Sequence, residues 1–598
     1  MSRAGDYTQR MDATRRNRIA QWVFDTRPIL ERFHLWLEDV EDLAPPRQPG
    51  GGSFVGPALY RAFLMSAAVT ALGTRLFGRY GEGRGLDGLG LDRFKKDADA
   101  VSAYTLSEAL WHLTRSLPEN HAVMVCLGEG LMPKVGEAPD MGSNPLLGFG
   151  RVYARPQVAK FLDPRVHRLI NDPTYGWEGF WQEVQRAGVT IWGAAIDTLE
   201  NTSRFAKGDP GGPMTILHLY DQPLTVTAPY EGYIGNLVLP RTVVEQAERD
   251  SVLLSYRSPR RLVWDAIRRA HPDVAAERVH VWTLGGPSRQ ARLEPLWEEW
   301  RRLGVHLVED GWEIPGGGPV FLGSGTYAPV ARVGTFADGD GRRHLFLCDG
   351  YAASAEAIQG ASLDPVFETR SLLCPLSSTF QLPWHRERRV MRLDPDAESF
   401  PADLAAAAGE ELDGGLVERY RASIRDARAA GIPVARPDVR IDDFFPRKTW
   451  RVLAVSGFML PDPYSGAAGV EEVGDRTYRV VARAATRQNL HLVRLTLRLR
   501  ETVEQSRLVF SPLLDRFYAG QDYRTRPVRV SDSGRLRNEL QTLCSEALEH
   551  VGADGLRVRF ERIGDGVMSA DKKAFVRRVL EWYKENHPTW FRWLELGE

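Results

Sequence analysis

Two stretches of this chain place serine and arginine where an extended segment should give way to a helix. They are Leu253-Leu254-Ser255-Tyr256-Arg257-Ser258-Pro259-Arg260-Arg261 and Trp282-Thr283-Leu284-Gly285-Gly286-Pro287-Ser288-Arg289-Gln290. The first turn of a helix leaves backbone N–H groups without intrahelical partners, and the helix dipole favours an anion there. Arginine adds a planar, two-pronged donor for phosphate or carboxylate. Ligands of open α/β sheets also gather beyond the carboxyl ends of the strands. Ser258, Arg260, Arg261, Ser288 and Arg289 are therefore candidate binding residues for a small phosphorylated or carboxylated metabolite. The competing reading is plain capping by Ser258 and Ser288 with solvated arginines. Neither stretch matches a Walker A loop or GxGxxG.

A second set is acidic. Glu129, Asp197, Asp221, Glu231 and Asp349 each follow an apolar, strand-like run. On parallel neighbours, some of these carboxylates would meet at one sheet edge. Converging oxygens suit Mg²⁺ or Mn²⁺, or general acid–base work. Asp349 and Glu129 are the candidate catalytic groups, and the competing reading makes such residues caps of helices or turns. His385, in Pro383-Trp384-His385-Arg386-Glu387-Arg388-Arg389, is a third candidate acid–base group. The loop Gly323-Ser324-Gly325-Thr326-Tyr327 can approach a ligand closely through its backbone, which adds Ser324 and Tyr327; such a run also serves as a tight turn. No HExxH, HxH or CxxC spacing is present, so motif spacing does not point to zinc. Cys348 reads as a buried structural thiol beside Asp349.

These residues need elements to hold them. Asp12 to Leu43 reads as one or two helices, Pro57 to Arg79 as another, and Thr105 to Ser116 as a third with Thr105 as its N-cap. From Ala122 to about Gly360, strands and helices alternate. Strands fall at 122–127, 189–196, 215–219, 252–255, 279–284, 305–308 and 345–348. Helices fall at 177–186, 261–270, 291–303 and 352–359. Such alternation predicts a central, mostly parallel sheet flanked by helices. Ala402 to Ala430 is helical. Strands follow at 450–455, 478–482 and 491–500, the last with alternating apolar and polar residues. A helix over 570–586 ends the pattern. The expected architecture is α/β: an N-terminal helical region (1–120), a central α/β domain (121–390) and a C-terminal α+β region (391–598).

Composition narrows the function classes. The chain has 77 basic and 78 acidic residues, a net charge of −1, so no overall field draws it to nucleic acid or an anionic membrane. Residues 476–537 hold 14 arginines and no lysine. A nucleic-acid strip there is the least favoured reading, and salt bridges between domains or subunits fit the balanced total better. Four cysteines in 598 residues are too few for a disulfide framework. The apolar run 62–73 is shorter than the ~20 residues a bilayer requires. The expectation is a soluble, cytoplasmic, homo-oligomeric metabolic enzyme that binds a small anionic metabolite. The reaction would be of isomerase, lyase or hydrolase type, with the arginines stabilising developing charge and Glu129 or Asp349 acting as acid–base group or as ligand to Mg²⁺ or Mn²⁺. The alternative is a non-catalytic assembly or scaffold protein built on tryptophan-bearing, charge-laced helices.

Overall fold

A computed structural model describes residues 56–113, 117–128, 152–172, 174–209, 213–225, 233–285, 287–315, 318–322, 327–375, 392–429, 440–447, 449–458, 469–486 and 490–499, with short pieces at 33–39, 382, 386, 389–390, 558–559 and 594–595. Two large sheets organise these residues, and neither is the mostly parallel sheet the alternation predicts.

The larger sheet has nine strands. They are β1 (Phe33–Asp39), β2 (His121–Gly128), β3 (Val152–Ala154), β4 (Thr190–Glu200), β5 (Met214–Tyr220) and, later in the chain, strands Val452–Phe458, Val470–Gly474, Thr477–Thr486 and Leu490–Leu499. Only β2 and β4 run parallel; every other pair in this sheet is antiparallel. The connections explain why. Strands 477–486 and 490–499 are separated by three residues, and a parallel return needs a crossover of a dozen or more. The alternating, half-buried pattern of 490–499 is itself an antiparallel signature. Val493, Leu495, Leu497 and Leu499 are buried as that pattern predicts; on the other face Arg498 is exposed, but Leu492 and Thr496 are buried as well.

The second sheet is built wholly from residues 233–375. Its order is Thr369–Pro375, β6 (Tyr233–Pro240), Arg343–Ala353, β7 (Val279–Trp282) and β8 (His306–Leu307), with Gly334–Ala337 beside Arg343–Ala353. The strand Arg343–Ala353 is parallel to β7, and β7 to β8; the other pairs are antiparallel. Residues 252–255 form no strand.

Helix α1 (Pro57–Phe77) and helix α2 (Gly88–Leu113) cover one face of the large sheet. The approach is close: a Cβ on Gly457 would collide with the Ala67 carbonyl oxygen. Thr105 lies inside α2 rather than capping it, and its hydroxyl donates to Val101 O at 2.8 Å. Helix α3 (Pro156–Asn171) and helix α4 (Ser354–Ser362) pack on the other face, in one apolar cluster with Ala122, Ala195 and Ala454. Phe33–Asp39 is extended and pairs with Leu490–Leu499, not helical. Among the described residues no helix is long and apolar enough to cross a membrane.

Candidate functional site

The first strand-to-helix corner is closed by the protein itself. Helix Arg260–Ala270 begins after Pro259 with no side-chain cap. The Ser258 hydroxyl instead accepts from the Ser255 N–H at 2.9 Å and locks the preceding turn. The anion at the helix start is Glu299, whose Oε2 accepts from the Arg260 N–H at 3.0 Å. Arg260 and Asp349 are both fully buried. The Arg260 Nε donates to Asp349 Oδ2 at 2.6 Å and its Nη2 to Oδ1 at 2.8 Å. The Trp300 indole N–H adds a third bond to Oδ2 at 2.7 Å. Arg260 Nη1 donates to the carbonyls of Tyr256 and Ser258. Asp349 sits inside the 343–353 strand, opposite Leu237, not at a strand tip. Two of the expected site residues thus meet, but they neutralise each other in the core instead of facing a ligand.

The remaining candidates scatter. Arg261 is exposed and pairs with Asp265 at 3.3 Å along its own helix. Arg289 is half-buried in the first turn of helix Pro287–Arg301. Asp221 binds the backbone N–H and the Nε of Arg451 at 3.0 and 2.8 Å. Cys348 is buried, and that burial pushes its thiol well above the usual range. Glu129, Glu231, Ser324 and His385, the Ser288 side chain and the 570–586 segment lie outside the described residues.

Asp197 is different. Its strand continues past it to Glu200, and the pairing with β5 slips by one residue on the way. Asp197 lies opposite Ile216 and Glu200 opposite Met214, so three steps on β4 match two on β5. In a regular strand, residues three apart point to opposite faces. The extra residue of this bulge turns Glu200 onto the face that carries Asp197. Both are buried, at 4% and 3% exposure. Glu356, in the first turn of α4, completes the group: one carboxylate oxygen from each of the three lies within 4.8 Å of the others. The Leu199 N–H donates to Asp197 Oδ1 at 3.1 Å and fixes that carboxylate in the bulge. One turn along α4, Gln359 is fully buried and donates its amide nitrogen to Ala195 O at 3.0 Å. Its side-chain oxygen, also buried, has no donor.

The same sheet face carries a polar chain. Ala195 pairs with His218, His218 with Ala454, and Ile216 with Ser456, which in turn pairs with Arg483. Asp197, Ile216, Ser456 and Arg483 therefore form one transverse row, spanning three strand spacings, roughly 14 Å. Burial, with the Arg483 charge, pushes His218 down to about 3, so its imidazole is neutral. The bonds then have one consistent direction. The Ser362 hydroxyl donates to Gln359 O at 2.7 Å, which leaves its oxygen to accept from His218 Nδ1–H at 2.9 Å. His218 Nε2 accepts from the Tyr327 hydroxyl at 3.0 Å, and Tyr327 accepts from Ser456 at 3.4 Å. The Arg483 guanidinium lies 5.6 Å from the Tyr327 ring centre. Of the residues the sequence singles out, Tyr327 and Asp197 reach this face; His218, Glu200, Glu356 and Arg483 carry no motif.

No protein-family model matches the chain, and no curated protein matches it.

Proposed function

We propose that the protein is an enzyme that holds a hard divalent cation, Mg²⁺ or Mn²⁺, on Asp197, Glu200 and Glu356. The cation would present a small anionic metabolite to the polar face formed by His218, Tyr327 and Arg483. The observation that carries this reading is the bulge at 197–200, which brings two buried carboxylates to one face where a third meets them. Three carboxylates at such spacing suit a cation that prefers oxygen ligands, with waters or substrate oxygens in the remaining positions. The Gln359 oxygen, next along the same helix and without a donor, is a further oxygen of the type such a cation uses. Arg483, on the same row of the sheet, supplies positive charge for the far end of an anionic substrate. Neutral His218 accepts from the Tyr327 hydroxyl and so fixes its orientation on this face.

The test is thermal unfolding of the intact protein against MnCl₂ and MgCl₂. A ligand at a hundred times its Kd stabilises by about 2.7 kcal/mol. The melting temperature should rise with cation concentration in the native protein and stay flat in Asp197→Asn and Glu200→Gln. An equal rise in all three proteins, or none in the native one, would remove the proposal.

A further inference from the structure

The second sheet carries a chain of imidazoles on a different part of the molecule. His280 on β7 and His306 on the edge strand β8 are register partners. Their Nδ1 atoms lie 2.8 Å apart. His280 Nε2 lies 2.8 Å from His344 Nδ1, and His344 Nε2 lies 3.1 Å from Asp338 Oδ2. Trp312 packs against the His280 ring, with centres 4.4 Å apart.

The protons in this chain can be placed. A carboxylate only accepts, so in its singly protonated form His344 carries that proton on Nε2. Bonds from the His344, Arg342 and Asp340 N–H groups hold Asp338 below the usual carboxylate range. His344 Nδ1 then offers a lone pair, and His280 must donate to it from Nε2. That leaves the His280 Nδ1 lone pair directed at His306 Nδ1.

From this geometry we infer a second metal site. His280 Nδ1 and His306 Nδ1 bind a borderline first-row divalent cation of the Zn²⁺, Co²⁺, Ni²⁺ or Cu²⁺ class in place of the proton they share. His344 and Asp338 orient His280 from behind. A metal-bound histidine characteristically donates its other N–H to a carboxylate, carbonyl or water, which fixes the tautomer and raises its basicity; here an imidazole backed by Asp338 takes that place. Metal–nitrogen bonds of 2.0–2.1 Å at a tetrahedral angle need the two nitrogens about 3.3 Å apart. The observed 2.8 Å therefore opens by roughly half an ångström, a small rotation of the half-buried His306 on an edge strand. On metal binding His306 keeps a single proton, moved to Nε2, and His280 keeps its proton on Nε2. Water or substrate fills the other positions. Imidazole nitrogens select this class over Mg²⁺ or Ca²⁺, so the site is chemically distinct from the carboxylate group on the large sheet. Positions 280, 306 and 344 are too far apart in the chain to read as a motif.

The experiment is a Co²⁺ titration of the intact protein, followed by visible absorption and then displaced with Zn²⁺. The native protein should give one saturable ligand-field band that Zn²⁺ abolishes. His306→Gln, with thermal unfolding confirming that it folds, should lose that band. His344→Gln and Asp338→Asn should keep the band with affinity about 10- to 100-fold weaker. The carboxylate centre can also take Co²⁺, so Glu200→Gln can change the total Co²⁺ bound but should leave the Zn²⁺-displaceable band in place, which separates the two sites. Absence of a saturable band in the native protein, or the same band in His306→Gln, would overturn the assignment.

Discussion

Asp349 and the Asp197–Glu200–Glu356 group show two opposite ways of placing carboxylates inside a protein. Asp349 meets a two-pronged guanidinium and an indole N–H, all buried. Its charge is balanced and three hydrogen bonds hold it in the core, away from any ligand. At the other site, three carboxylates are gathered within 4.8 Å of one another by a strand irregularity and the start of a helix. The first arrangement serves the core. The second brings three acidic groups onto one face of the sheet, and that convergence, rather than burial alone, is what supports the proposed cation site. Asp364 is an intermediate case: fully enclosed, it accepts from Thr369 and from the Ser371 N–H and hydroxyl, at 2.7 to 2.9 Å.

The largest effect should come from breaking the closed pair. Removing one partner of a buried ion pair costs about 3–5 kcal/mol, because the other charge stays buried alone. Arg260→Met should lower stability by that amount in urea unfolding, and Arg260→Met with Asp349→Leu should recover most of it. A loss under 1 kcal/mol in the single variant would show that the pair is not what closes this corner.

Asp364 sharpens the comparison through pH. Burial pushes its carboxyl up to about 6 from 3.8, against the three hydrogen bonds that favour the ionised form. The unfolded chain therefore gives up this proton first as pH rises. Between about pH 4 and pH 6 the folded state holds more protons, and stability falls with rising pH. At 1.36 kcal/mol per pH unit, the fall is on the order of 3 kcal/mol. The contribution is complete below the unfolded value and lost above the folded one. Asp364→Asn should abolish this slope; an unchanged slope would assign it elsewhere.

The smallest effect concerns the polar face. Tyr327→Phe removes the donor to His218 Nε2 and the acceptor for Ser456. Such a deletion costs about 1–2 kcal/mol. If the proposed enzyme reading holds, it should also cost activity while leaving the cation-induced stabilisation intact. Loss of both together would mean that the chain and the carboxylates form a single structural unit.

Much of the local structure was legible in the sequence. Helix Pro57–Phe77 starts at its proline and stops before a glycine, and strand 490–499 carries its alternation openly. The sheet direction was not legible, because alternating helices and strands fit βαβ crossovers and mixed sheets alike. The apolar residues of 12–43 imitate a 3.6-residue period and predict helix where Phe33–Asp39 is a strand, although Phe33, Leu35 and Leu37 alternate. The apolar run 345–348 before it and the helical stretch 352–359 after it place Asp349 at a strand tip. Here the strand continues to Ala353, since Arg260 neutralises the charge within it. Glu200 was missed for a geometric reason. Strand periodicity sends it to the face opposite Asp197, and only the inserted residue of the bulge, which has no composition signal, reverses that.

Counting bound Mn²⁺ by electron paramagnetic resonance in the native protein and in Glu200→Gln tests the carboxylate centre most directly. The account predicts one tightly held, Mg²⁺-displaceable ion in the native protein and its loss in the variant. Equal binding in both, or no tight ion in either, would contradict it.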